Sequence, residues 1–288
     1  MKKTTILADG LGFPEGPRWH EDKLWFSDFR TKKIMTVDLE GTLQTVAEVP
    51  GQPSGLGWLP DNSLLVVSMT DRRLLRMEGG KLTLFADLSD LASFHCNDMV
   101  VDSKGNAYIG NFGAPITSPA AKLAEIILVK PDGNKRVVAE DMAFPNGSVI
   151  TPDEKTFVVG ETYASRLTAF DIETDGSLAN RRIWAQFDNL GIVTNRSELV
   201  KRILPDGICL DEEGAIWVAS PGSGAEVVRV LEGGEITDRI KVETFPYACM
   251  LGGADGKTLF ILTSDLSSSE LVGKIETVQV EAARAGLP

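Results

Sequence analysis

A short frame recurs six times along the chain, and it restricts what the polypeptide can build. Four copies read Pro14-Glu15-Gly16, Pro53-Ser54-Gly55, Pro145-Asn146-Gly147 and Pro205-Asp206-Gly207. Two degenerate copies, Cys96-Asn97-Asp98 and Pro246-Tyr247-Ala248, keep the rhythm. The copies stand about 40 to 60 residues apart, the period of propeller blades. A short apolar stretch follows each copy. Then comes a polar turn such as Pro60-Asp61-Asn62-Ser63 or Asp211-Glu212-Glu213-Gly214. A β-rich run closes the pattern, at residues 24–27, 64–68, 107–111, 156–160, 216–220 and 259–264. Strands bounded by such turns are the signal of antiparallel hairpins.

Two more strand candidates follow in each unit, for example 33–38 and 42–48, or 125–130 and 135–140. Four strands in each of six units describe an all-β, six-bladed β-propeller spanning residues 1–288 as one domain. Residues 4–8 precede the first frame just as 42–48 precede the second. The last unit ends with one strand candidate, 275–281, and lacks a fourth. The N-terminal strand is therefore expected to complete the last blade and close the ring.

Within the frame, Pro and Gly largely persist while the middle residue changes: Glu15, Ser54, Asn97, Asn146, Asp206, Tyr247. Pro sets the backbone angle leading into the innermost strand, and Gly allows a tight path beside a crowded axis. The middle residue is then expected to project into the central funnel. Two carboxylates (Glu15, Asp206) and two carboxamides (Asn97, Asn146) suit one hard divalent cation on the axis. Ca²⁺ accepts six to eight oxygens in flexible geometry and is the favoured ion, with Zn²⁺, Mn²⁺ or Mg²⁺ as alternatives. Two histidines and no C-x-x-C spacing leave too few nitrogen and sulfur donors for a closed zinc site.

The formal net charge of −12 opposes binding to phosphate backbones, so no nucleic-acid partner is expected. No apolar run approaches membrane-spanning length, and residues 1–9 lack the apolar core of a signal peptide. Cys96, Cys209 and Cys249 cannot all pair, and free thiols fit a reducing cytoplasm. The sequence sets no oligomeric state. A serine hydrolase is poorly supported, because there is no G-x-S-x-G elbow and only His20 and His95 are available.

These motifs, over essentially the whole chain, resemble the senescence marker protein/gluconolactonase/luciferin-regenerating-enzyme family of calcium-dependent lactonases. The resemblance implies metal ligands at Glu15 in Phe13-Pro14-Glu15-Gly16-Pro17, Asn146 in Phe144-Pro145-Asn146-Gly147, and Asp206 in Pro205-Asp206-Gly207. It implies that Asn97 lies beside both metal and substrate, and that Asp206 is also the general base. The implied activity is opening of a small lactone or related ester. Phosphotriester hydrolysis on the same ion and a non-catalytic calcium-binding propeller are the alternatives. Sugar-lactone hydrolases of animals carry Arg two residues before the Asn-Asp pair, where this chain has His95. They also carry Glu in the loop after the next strand, where this chain reads Asn111-Phe112-Gly113-Ala114-Pro115.

Strand direction places the start of strand one and the loop between strands two and three at the same end of a blade. Substrate contacts are therefore expected from His95, Asn111, Phe112, Tyr163, Ser220 and Tyr247, with Asn97. Two longer insertions on that face, 113–124 and 188–204, are candidate lids. His20 falls in a turn at the opposite end. The five Trp residues fall on strands and are expected mostly in the core.

Overall fold

A computed structural model describes residues 2–115, 122–193, 196–199, 201–222 and 224–285. The described residues form six four-stranded antiparallel sheets. Their innermost strands are Pro14–His20, Pro53–Trp58, Cys96–Val101, Pro145–Ile150, Ile208–Leu210 and Phe245–Gly252. Five blades run in simple sequence order from the inside out. The sixth takes its outermost strand from the other end of the chain: Thr5–Leu11 pairs antiparallel with Gly273–Gln279. The ring is thus closed by the N-terminal strand, as the repeat arithmetic requires.

Burial follows position within a blade. Second strands such as Leu64–Ser68, Ala107–Asn111 and Ile216–Ser220 are buried at every residue. They lie between the faces of adjoining blades, so they read as continuous apolar runs rather than alternating ones. Outermost strands such as Leu43–Glu48 and Ile236–Lys241 have mainly half-buried and exposed residues. Trp217 is 1% exposed, and truncating so large a core residue typically costs about 3–5 kcal/mol. Trp19 and Trp184 are buried as expected, Trp19 stacking on Phe260 with centroids 5.4 Å apart. Trp25 and Trp58 differ: both are half-buried and meet edge to face, 5.5 Å apart. With Trp19 and Asp102, Trp58 and His20 line a cleft of about 450 Å³ among the turns between first and second strands. Among the described residues no helix is long and apolar enough to cross a membrane.

Candidate active site

The recurrent frame coincides with a β-bulge. In five blades the pairing of first and second strands slips at the frame, between Glu15 and Arg18, Pro53 and Leu56, Cys96 and Met99, Pro145 and Ser148, and Pro246 and Ala248. A bulge inserts an unpaired residue and re-aims its side chain. That is the local reason the middle residue leaves the blade. The glycines serve it in two ways. Gly16 has φ +54°, a conformation Gly adopts without strain. Gly55, Gly147 and Gly207 instead leave room for the neighbouring blade, where a Cβ would stand 2.4 Å from Met99 N, 2.5 Å from Asp206 O and 2.6 Å from Ala248 Cα. Backbone bonds knit the inner strands together there, Gly147 N donating to Asp206 O (3.2 Å) and Gly207 N to Tyr247 O (2.7 Å).

The polar frame residues converge as a connected set. Asn97 Nδ2 donates to Asn146 Oδ1 at 2.7 Å, and Ser54 Oγ donates to Asn97 Oδ1 at 3.2 Å. Asn146 Nδ2 donates to Thr162 Oγ1 (3.2 Å), which in turn donates to Pro205 O (2.7 Å). Burial holds the Glu15 carboxyl well above the usual carboxylate range, and the nearby charges of Asp206 and Asp98 push it the same way. The Gly16 N–H, 2.8 Å from Glu15 Oε2, opposes the shift, as does Arg18. Asp206 is raised in the same manner, by burial first and Asp98 second, against a hydrogen bond from Asn146. Buried like charges of this kind fit a cation. Among the described residues no three His, Cys, Asp or Glu side chains are arranged to hold a metal. The fit therefore needs carboxamide oxygens beside the two carboxylates, a donor set that suits a hard ion such as Ca²⁺.

Two aromatic groups are built on Phe13 and Phe144, each directly before a frame proline. Phe13 packs on Phe29 and Tyr247, with centroids 4.3 and 4.4 Å apart. Phe144 packs on Phe112 (4.7 Å) and Tyr163 (5.1 Å), and His95 meets Phe112 edge to face at 6.4 Å while stacking on Phe94. Burial lowers the His95 pKa, with Arg72 adding to the effect. His95, Phe112, Tyr163 and Tyr247 are half-buried and belong to this rim.

Asn111 and Ser220 do not. Both are 0% exposed, and their polar atoms are engaged inside the protein. Asn111 Oδ1 accepts from Gly113 N (2.9 Å) while its Nδ2 donates to Glu125 O (3.0 Å). Ser220 Oγ accepts from Leu204 N at 3.0 Å. They are latches, of a kind found at the equivalent place in other blades. Asp28 accepts from Gly12 N and Phe13 N, and Glu161 accepts from Ala143 N. In each case a polar residue ending the second strand fastens a loop near its own blade's frame.

Of the two insertions, residues 116–121, 194, 195 and 200 lie outside the described residues. In the second insertion, Val193, Leu199 and Leu204 cluster against Tyr163, and Arg202 pairs with Asp188 at 2.5 Å. The three cysteines are free and buried. Burial pushes the Cys96 thiol up to about 12, which leaves it inert as a nucleophile.

The SMP-30/gluconolactonase/LRE-like region matches residues 13–265 of the chain. The chain belongs to this family. It is 26% identical over 290 residues to pentonolactonase XacC of Haloferax volcanii, covering 99% of this chain and 93% of that protein. It is 25% identical over 281 residues to 6-deoxy-6-sulfogluconolactonase of Pseudomonas putida, covering 95% and 91%. A calcium-binding protein, regucalcin, from Agrobacterium tumefaciens has the same fold, with a TM-score of 0.82, 21% identity, and coverage of 100% and 97%.

In this member of the SMP-30/gluconolactonase family, the structure adds residues that the frame did not single out. Asp98 stands where most copies have Gly, so the degenerate copy itself was the signal. Arg18 lies just beyond the first frame, and its guanidinium crosses to the third blade, Nη2 donating to Met99 O. Thr162 braces Asn146 from the loop after the second strand of the fourth blade. Phe13 and Phe144, each directly before a frame proline, build the rim. Phe144 does so at φ +59°, a strained conformation for a bulky residue, worth roughly 1–3 kcal/mol.

Proposed function

We propose that this chain hydrolyses a small lactone with the help of one divalent cation, Ca²⁺ first among the candidates. The observation that carries the reading is the pair of buried carboxyls, Glu15 and Asp206. Both are held well above their usual range by burial and like charge, and Phe13, two residues before Glu15, packs on Tyr247 of the sixth frame. Family membership and the names of the relatives, a pentonolactonase and a 6-deoxy-6-sulfogluconolactonase, support the lactone class. Glu15, Asn146 and Asp206 would hold the ion, with Asn97 alongside. When bound, it supplies Lewis-acid polarisation of the lactone carbonyl.

The chain's own groups supply the rest. Asp206, oriented by Asn146, takes a proton from water as the water oxygen attacks the carbonyl carbon. The ring C–O bond then breaks, the proton passes to the departing alkoxide oxygen, and a hydroxy acid leaves. A carboxylate is a modest base, which suits a strained or activated ester better than an amide. Asn97 is placed beside the reacting carbonyl, while Phe112, Tyr163, Tyr247 and His95 form walls that orient the ring and exclude bulk water. Asn111 and Ser220 fix the loops that carry this rim. His95, in place of the arginine of animal sugar-lactone hydrolases, points to a small lactone with fewer polar contacts than an aldonolactone.

The test is proton release from a panel of sugar and aliphatic lactones, with organophosphates in parallel, using metal-stripped enzyme restored with each ion. Lactone turnover that returns with one ion supports the reading. Tight metal binding with silence across the lactones, or turnover of the organophosphates alone, overturns it.

A further inference from the structure

The turns between first and second strands lie at the end of each blade away from the frames, and the cleft of about 450 Å³ opens among them. Its volume is that of a small-molecule site, and no step of the proposed hydrolysis uses it. Turns of the first three blades and Arg284 of the C-terminal segment enclose it. The backbone of that segment is fixed. Glu212 N donates to Ala283 O (2.8 Å), Arg284 N to Gly256 O (2.9 Å) and Ala285 N to Leu210 O (3.1 Å). Residues far apart in the chain thus meet at one mouth.

The repeat marks this mouth as special to two blades. At the sixth position counted from the start of each frame stand Trp19, Trp58, Val101, Ile150, Leu210 and Leu251. Four blades use an aliphatic residue there. The first and second carry indoles, and both indoles line the cleft. Trp19 is 7% exposed and packs partly on Phe260. Trp58 is half-buried, and His20 stacks on it with ring centroids 4.0 Å apart. Trp25 meets Trp58 edge to face and donates its Nε1 to His20 O at 3.1 Å, which braces the stack. An aliphatic residue would end the blade as well. A braced, half-open aromatic wall is instead suited to holding a ring.

The rim adds polar groups of both kinds. Asp22 and Arg284 are exposed, and among the described residues neither side chain has an ion pair or a hydrogen bond. An anion in the cleft would meet Glu21, Asp22 and Asp102 as well as Arg284, and a cation would meet Arg284. A neutral ring edged with hydroxyls suits every group. Its C–H face lies against the indole, and its hydroxyls donate to the carboxylate and accept from the guanidinium.

We propose that this cleft binds a neutral polyhydroxylated ring of the monosaccharide class, at a site separate from the axial one. The inference stands whether or not the axis holds a metal.

In the experiment, isotope-labelled full-length protein is titrated with glucose, galactose, N-acetylglucosamine and maltotriose. The indole N–H signals are followed by NMR, with Trp58→Phe assigning its own signal. At least one sugar is expected to shift the Trp58 signal saturably, with a Kd of about 1 mM or tighter. Maltotriose binding about tenfold tighter than glucose identifies the end of a sugar chain as the ligand, and equal affinities identify the free sugar. Arg284→Ala and Asp22→Ala should each weaken binding about tenfold, the loss of one charge-assisted hydrogen bond. Both residues are exposed, so these variants decide the matter by calorimetry should Trp58→Phe fail to fold. No shift of the Trp58 signal with any sugar overturns the proposal, as does a shift that survives both rim variants. A shift with choline or benzoate alone also overturns it, by assigning an organic ion to the cleft.

Discussion

Two glutamates of this propeller are almost equally buried and could hardly be treated more differently. Glu161, in the fourth blade, is 0% exposed and is met by two guanidiniums, a hydroxyl and a backbone N–H. Arg166 and Arg181 pair with Oε1 at 2.7 and 3.1 Å, Thr168 donates to the same oxygen, and Ala143 N donates to Oε2 at 2.8 Å. Glu15, 7% exposed, accepts from one backbone N–H and is pushed up by burial and by the charges of Asp206 and Asp98, which Arg18 opposes. A buried carboxylate with its partners supplied is a structural fastening. Buried carboxyls short of partners are what the proposed cation would neutralise.

The sharpest way to break this comparison is to neutralise one group of the axial cluster. Asp206→Asn should lower kcat/KM for a responsive lactone by at least about a hundredfold, as loss of a general base does. Metal-free stability, measured by urea unfolding, should hold or rise because a buried like charge has gone. Loss of stability with turnover retained would mean that Asp206, like Glu161, is a fastening.

The converse substitution is Glu161→Gln. It should cost about 3 kcal/mol in urea unfolding, since it strands two arginines that remain partly exposed. Turnover by the folded fraction should stay within a few-fold of the parent. Abolished turnover with stability unmoved would reverse the two assignments.

The smallest effect is a trend with pH. Folding raises the proton affinity of Glu15 and Asp206, so the folded metal-free protein holds protons that the unfolded chain releases first. Their contribution to stability is present below the ordinary carboxylate range and is lost as pH rises through their raised values. Ca²⁺ should therefore raise the melting temperature more at pH 8 than at pH 5, and Glu15→Gln should flatten the difference. An equal Ca²⁺ effect at both pH values would place the ion away from these carboxyls.

The frame residues were legible because the repeat announced them. Each blade must solve the same packing problem, so a variable residue between a recurring Pro and Gly stands out as one the blade does not need. Strand ends are less informative. Asn111 and Ser220 read as rim residues by strand direction, yet the register sets Asn111 opposite Cys96, and Ser220 meets Leu204 N; both bond inward. A polar residue ending a second strand looks the same in sequence whether it faces a site or fastens a loop, and in four blades its partner shows the fastening. His95, Phe112, Tyr163 and Tyr247 are half-buried and pack in groups that include Phe13 and Phe144, which read in the sequence as ordinary apolar residues before a proline.

The sequence by itself determined the number of blades, the closure of the ring by residues near the N-terminus, and the frames that open the innermost strands. Those properties are carried by local turn chemistry, repeated at a fixed spacing, and a linear pattern can carry them. Only the tertiary structure decided that Asp98 joins the axial carboxylates and that Arg18 reaches from the first blade to the third. It also decided that Glu161 is satisfied while Glu15 is not. Each of these depends on which groups meet across the axis from blades far apart in the chain, where a charge's worth is set by its neighbours rather than by its own identity.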